Sequence, residues 1–334
     1  MILEKDSSVL GYPGETSKAL DADHHNVCKY ASPEDPNYIA VRNALTSLVS
    51  KVIVTDPIQK PLLSKRRTHD LESLLAITEL PDADFIFFWD QWTQGTSEWL
   101  LNHAHYSEWL HSTDLTHNVL FLNGGPATGK SVLSSFIINS LASQGFSCQY
   151  FFIRYGDQRK RTLSFLLRSI AYQIASHIPE VSEQIIRLND GAVNFETADA
   201  RTIWERIFKL ILFRIDRPRP LYWIIDGLDE ANDPRAFLKL LSDISSSTLS
   251  IRLLLVGRKT SEIAVALDKL PKALRTCSIA REDDPEAIRS YIRQELRLTS
   301  ASDLRQIIEQ RVIEGAQNNF LVSFWNSYTK MQSD

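Results

Sequence analysis

"GGPATGKS", residues 124–131, decides how this chain is read. It fits the pattern G-x-x-x-x-G-K-S/T in full. An apolar run, "NVLFLN" (118–123), precedes it and a helical pattern, "SVLSSFIINSLAS" (131–143), follows. Strand, glycine-rich loop and helix in that order is the context a phosphate-binding loop requires. Gly124, Gly125 and Gly129 let backbone N–H groups turn toward one anion, and Pro126, Ala127 and Thr128 complete the loop. The following helix points its positive end at the phosphates. Lys130 can reach the β- and γ-phosphates, and the Ser131 hydroxyl can ligate Mg2+. The alternative is a simple glycine-rich turn.

A loop of this kind needs a metal-facing carboxylate at the end of another strand of the same sheet. "LYWIIDGLDEAND" (221–233) supplies one: an apolar run leads into Asp226, and further acids follow at Asp229, Glu230 and Asp233. Such a cluster of like charges costs free energy unless something positive sits beside it. Mg2+ with its nucleotide fits, with Asp226 holding the ion through water. Asp229 or Glu230 is then placed to polarise an attacking water. The alternatives are an ordinary strand-end acid for Asp226 and solvated helix-start acids for the other two.

Outward from these two stretches, short apolar runs alternate with helical patterns. The strand candidates are 118–123, 147–155, 221–226, 251–257 and 275–280. Helical stretches 131–143, 163–178, 202–215, 234–244 and 261–270 separate them. Apolar strands alternating with helices predict a parallel sheet covered on both faces. The expected architecture is a three-layer α/β P-loop sandwich with a mainly parallel five-stranded sheet and helical extensions at both ends. The expected division is a linker-like arm and helical segment over 1–84, the nucleotide-binding domain over 85–282, and the start of a helical lid over 283–334. Within the first part, 36–53 and 68–77 carry helical spacing. "SEWL" occurs at 97–100 and 107–110, which reads as chance within one amphipathic helical region.

Arg258 follows the run "IRLLLVG", at a strand's carboxyl end where ligands bind, and is placed to read a γ-phosphate; the alternative is a surface arginine. "RYGDQRKR" (154–161) reads as a solvated basic loop, or as a contact to phosphate or a neighbouring protomer. His103, His105 and His111 have no cysteine or acid at ligand spacing. Trp99 and Trp109 read as core rather than base-stacking residues. No N-K-x-D stretch reads guanine, so ATP or ADP is favoured.

Composition bounds the rest. The chain has 334 residues, 43% of them apolar and 23% charged, as in a soluble globular protein. A net charge of −4 gives no support for nucleic-acid binding. Three scattered cysteines suggest a reducing interior, and neither a membrane span nor a signal peptide is apparent. The expected location is cytoplasmic.

"GGPATGKS" with "LYWIIDGLDEA" resembles the NACHT class of STAND P-loop ATPases. The run from Asp226 to Glu230 matches that class's order of Asp, small, apolar, Asp, Glu. The flanks "GTSEWLL", "FFIRYGDQRKRTLSFLLRSIAYQI" and "PRPLYWIIDGLDEANDPR" look like fungal NACHT proteins with the nephrocystin-3-like N-terminal type. The resemblance implies an ATP/ADP-controlled signalling switch with slow hydrolysis, of the kind used in heterokaryon incompatibility, self/non-self or stress sensing. Its implied partners are nucleotide, an effector protein or further copies of the chain. It maps Lys130 and Ser131 onto the Walker A ligands, Asp226 onto Walker B and Arg258 onto the sensor arginine, and it sets Thr96 in the segment that lines adenine. The sensor strand of the class usually ends in hydroxyl residues before its arginine, whereas here Val256 and Gly257 stand there. The tail after 315 begins like the family's and then diverges, so the chain reads as a switch core truncated in its lid. Two other readings stay open: a turnover enzyme such as a P-loop kinase or AAA-type motor, and an interaction protein with little nucleotide turnover.

Overall fold

The computed structural model describes residues 65–111, 117–188, 193–217, 219–270 and 274–280, with a few more between 30 and 44. The N-terminal arm, most of the second half of the 36–53 helix and the C-terminal helices lie outside these residues. A helical turn over 36–42 falls within the expected first helix.

In chain order the described elements are α1 (Lys65–Leu74), α2 (Asp82–Trp89), α3 (Ala104–His111), β1 (His117–Asn123), α4 (Lys130–Ser143) and β2 (Cys148–Phe152). There follow α5 (Leu163–His177), α6 (Pro179–Arg187), α7 (Ala200–Ile203), β3 (Leu221–Asp226), α8 (Pro234–Leu241), β4 (Ile251–Gly257), α9 (Ser261–Asp268) and β5 (Leu274–Ala280). The five strands form one sheet in the order β2-β3-β4-β1-β5. Every pairing is parallel. Each of the five strand candidates became a strand, with ends shifted only at β1, β2 and β5.

The central strands β3 and β4 are apolar at nearly every position because helices cover both faces. All six residues of β3 and all seven of β4 are buried. Alternation along a strand divides the apolar side chains between two cores. Phe121, Trp223, Ile225, Leu253 and Leu255 pack with α5, α6 and α8. Leu120, Leu122, Tyr222, Ile224, Leu254 and Val256 pack with α3 and α4. α1 belongs to the first core through Leu71, joined by Leu75 just past its end, both fully buried.

Three expectations needed correction. The helix expected over 202–215 is broken: α7 runs into a wide π turn (Trp204–Lys209) and then a 3-10 turn (Leu212–Arg214). Apolar residues are too dense in this stretch for one helical stripe. Trp204 stacks on Phe208 at 4.7 Å and meets Phe213 edge-on at 5.3 Å, and burying all three overrides regular helix geometry. The two "SEWL" copies sit in separate elements, a 3-10 turn (Glu98–Asn102) and α3. α2 and α6 were not singled out in the sequence, although Pro179 at the first turn of α6 is a start signal.

β2 is an edge strand, and its exposed backbone is met by a side chain. The Tyr150 N–H donates to Gln173 Oε1 at 3.0 Å, and Gln173 Nε2 donates to the Tyr150 carbonyl at 2.8 Å. One amide from α5 thus stands in for a neighbouring strand and blunts the edge. At the amino end of the central strand β4, buried Arg252 donates to the carbonyls of Trp109 (2.7 Å) and Leu110 at the end of α3. That cation suits the carbonyl end of a helix. Trp109 is core, as its sequence context suggested.

Candidate functional site

Register sets the site at the carboxyl ends of the strands. Asn123 of β1 lies opposite Gly257 of β4, and Asp226 of β3 lies opposite Phe152 of β2. β4 therefore separates the strand that feeds the glycine-rich loop from the strand that ends in Asp226. The loop closes onto β4, where the Gly124 N–H donates to the Gly257 carbonyl at 3.3 Å.

The loop's shape follows from its residues. Gly129 takes φ +73° at the start of α4, a left-handed conformation natural to glycine. Ala127 also sits at positive φ, +57°, which costs a residue with a Cβ and is found where the surroundings enforce it. Thr128 Oγ1 donates to the Gly125 carbonyl at 3.1 Å and braces the turn. Lys130 Nζ folds back over the loop onto the carbonyls of Gly124 (3.1 Å) and Gly125. A Cβ on Gly125 would meet nothing nearer than Thr128 Cγ2 at 3.7 Å. No atom of the protein itself demands glycine there. The space is what close approach of a phosphate to the backbone would use.

Asp226 is 4% exposed, and both its oxygens face α4. Ser131 Oγ donates to Oδ2 at 2.6 Å and Ser134 Oγ to Oδ1 at 2.9 Å. Burial pushes its carboxyl up to about 6. The two hydroxyls and Lys130 oppose the rise, and Glu230 adds to it. Ser131 and Asp226 thus present two hard oxygen donors side by side, a pair that fits Mg2+. Ser134 escaped the sequence reading. Its position, one turn beyond Ser131 on the same helix face, was the available signal.

The other two acids are engaged elsewhere. Asp229 Oδ1 accepts the Arg258 N–H at 2.8 Å, and Asp229 Oδ2 lies 3.2 Å from Arg258 Nε. Glu230 Oε2 accepts the Tyr155 N–H at 2.6 Å, just past the end of β2. Arg161 Nε donates to the Glu230 carbonyl at 3.1 Å, and the Asn232 N–H donates to the Arg161 carbonyl at 3.0 Å. Two glycines make these approaches possible. A Cβ on Gly227 (φ +76°) would lie 2.5 Å from the Ile153 carbonyl oxygen, and one on Gly257 would lie 2.8 Å from Asp229 Oδ1. A side chain at position 257, just before Arg258, would therefore run into Asp229.

Thr96 is buried, with Oγ1 turned back to the Thr93 carbonyl at 2.6 Å, so its hydroxyl serves its own segment. That segment leans on α4, where Trp92 stacks on Phe136 at 5.6 Å. The basic loop 154–161 is built in rather than free. Lys160 is buried, and Arg154 and Lys160 both pair with Asp84.

Residues 95–258 match the family model of the nephrocystin 3 N-terminal region. That nephrocystin-3-like stretch begins beside Thr96, ends on Arg258 and contains the glycine-rich loop, Ser134, Asp226, Asp229 and Glu230. Together with the loop and the strand order, it makes this a P-loop nucleotide-binding fold.

Solved structures similar to the chain include a Walker-type ATPase of Pyrococcus abyssi (13% identity, 78% of this chain, 72% of that one, TM-score 0.45). A DNA replication initiation factor (12%, 71% and 62%, TM-score 0.39) and PCH-2 of C. elegans (12%, 74% and 65%, TM-score 0.38) are also similar. The chain spans less than two thirds of the length of the latter two. A search of curated proteins returned no match. Among the described residues, no helix is long and apolar enough to cross a membrane.

Proposed function

We propose that this chain is an ATP/ADP-controlled signalling switch of the NACHT type that hydrolyses ATP slowly and with Mg2+. One observation carries the reading. Asp226 faces the glycine-rich loop, while Asp229 and Glu230 are both held by other partners. A site built this way is equipped to hold a nucleotide and poorly disposed to turn it over quickly. In this reading the backbone from Gly124 to Gly129 cradles the phosphates, and Lys130 leaves its loop carbonyls for the β- and γ-oxygens. Ser131 and Asp226 would hold Mg2+, which would neutralise the charge between those phosphates. Arg258 would sense the γ-phosphate by exchanging Asp229 for it. Thr96 would shape the adenine side by packing, since its hydroxyl is already bonded.

The proposed setting is cytoplasmic. The partners are the nucleotide and either an effector protein or further copies of the chain, in self/non-self or stress sensing of the fungal kind. The engagement of both acids also favours a second reading, a nucleotide-holding interaction protein without turnover. Thermal unfolding with and without Mg-ATP or ADP, alongside a hydrolysis assay, tests both. Stabilisation by both nucleotides with turnover well below about 1 per second, the low end of ordinary enzymes, is expected for the switch. Turnover of tens per second would sink it, and stabilisation with none would select the second reading.

A further inference from the structure

The Tyr155 N–H that holds Glu230 belongs to a loop whose other end is fastened far from the nucleotide. Arg154 Nε lies 2.7 Å from Asp84 Oδ1. That N–H is not aimed at the oxygen, so the contact is Coulombic rather than a hydrogen bond. Lys160 Nζ donates to Asp84 Oδ2 at 2.6 Å and to Glu79 Oε1 at 2.9 Å. Arg159 Nη1 donates to Thr78 Oγ1 at 3.1 Å. Three cations of one loop thus end on the stretch from Thr78 to Asp84, the α1–α2 connection and the first turn of α2. The guanidinium of Arg154 also lies over the rings of Phe87 and Phe88, at 4.8 and 4.9 Å. Asp84 and Lys160 are both buried, so their attraction is little screened by solvent. On the other side, Arg161 and Asn232 lace the loop to the backbone that carries Glu230.

We infer that Asp84 is a positioning residue for Glu230: by anchoring the 154–161 loop to the helical N-terminal segment, it keeps the Glu230 carboxylate parked on the Tyr155 N–H. Displacement of that segment, by whatever adjoins it, releases the loop and frees Glu230 to act on water. The catalytic half of this inference rests on the proposed hydrolysis; the mechanical half does not. A carboxylate accepting a backbone N–H at 2.6 Å is a charge-assisted bond, strong enough to outcompete a water.

The test is Asp84→Asn, read by hydrogen exchange of peptides spanning 155–161 and by steady-state ATP hydrolysis. Faster exchange in that loop is expected, with β4 peptides unchanged. kcat should rise on the order of tenfold with KM and nucleotide-induced stabilisation unaltered, the factor expected from freeing one charge-assisted bond. Asp84→Glu should restore wild-type exchange in part. Asp84→Asn removes the carboxylate shared by Arg154 and buried Lys160 and leaves Lys160 only Glu79, so the charge-balanced pair Asp84→Asn with Lys160→Met is the second variant, should the single one fail to fold. Unchanged loop exchange in a folded variant overturns the inference, as does a kcat that stays level or falls while the loop loosens. A wild type that binds no nucleotide defeats the proposed function instead, and the exchange arm still decides whether Asp84 anchors the loop.

Discussion

Asp229 and Arg258 join the ends of β3 and β4 by two contacts, a carboxylate oxygen 2.8 Å from the Arg258 N–H and the other 3.2 Å from its guanidinium Nε. The carboxylate is nearly buried while the arginine is half exposed, so the pair is open to a competitor from solvent. An anion arriving at the loop would meet a guanidinium already beside the site. The pairing exists because Gly257 leaves room for it.

Gly257→Ser is therefore expected to be destabilising. The new Cβ would stand 2.8 Å from Asp229 Oδ1 and 3.3 Å from two backbone nitrogens, Leu228 N and Asp229 N. Overpacking of this sort costs about 1–3 kcal/mol. Urea unfolding of the variant measures it, and a stability equal to wild type would show that the 228–229 turn yields freely.

Asp226 predicts a pH dependence with a definite sign. Its carboxyl is raised to about 6 in the fold, above its ordinary value of 3.8. Its contribution is therefore fully present below the unfolded value, and it is lost as pH rises through about 6. At pH 7, without metal, this is a cost on the order of 3 kcal/mol. Asp226→Asn should be more stable than wild type at pH 7 without Mg2+ and nearly equal to it at pH 4. It should also lose stabilisation by Mg-nucleotide. Parallel stability–pH curves for the two proteins would refute the account.

Lys130→Ala should leave the fold intact and remove nucleotide binding. The ammonium lies over the loop, on the carbonyls of Gly124 and Gly125, rather than in either apolar core. For wild type, ligand at about 100 Kd should add about 2.7 kcal/mol to the unfolding free energy, and the variant should gain none. Calorimetry with Mg-ATP and with ADP distinguishes the two proteins directly.

α1 lies far from the phosphate loop in sequence yet is part of the principal core. Leu75→Ala should cost about 2–5 kcal/mol, the range for emptying a fully buried leucine site. A loss below about 0.5 kcal/mol would mean that the N-terminal helices do not pack on this domain in solution.

Much of this was legible in one dimension. The strands announced themselves as short apolar runs between helical patterns, and β3 and β4, apolar on both faces, matched their sequence limits residue for residue. The glycine-rich loop was legible because phosphate binding needs glycines, a lysine and a hydroxyl at fixed spacing. The segment 202–215 was misread because local periodicity cannot register how Trp204, Phe208 and Phe213 share one buried space. α2 was missed because its eight residues bury little besides Asp84 and carry no amphipathic stripe.

By itself the sequence determined the class of fold and singled out the glycine-rich loop and Asp226, because each depends on residue types at short range. Which acid does what was decided only by tertiary structure. Asp226 meets Ser131 across 95 residues, Glu230 meets Tyr155 across 75, and Lys160 meets Asp84 across 76. No local pattern carries such pairings. They arise when the strand order sets β4 between β1 and β3, and when the α1–α2 segment packs beside the β2 loop. Carboxylates close together in the sequence are thereby given different neighbours, Asp226 two hydroxyls, Asp229 an arginine and Glu230 a backbone N–H.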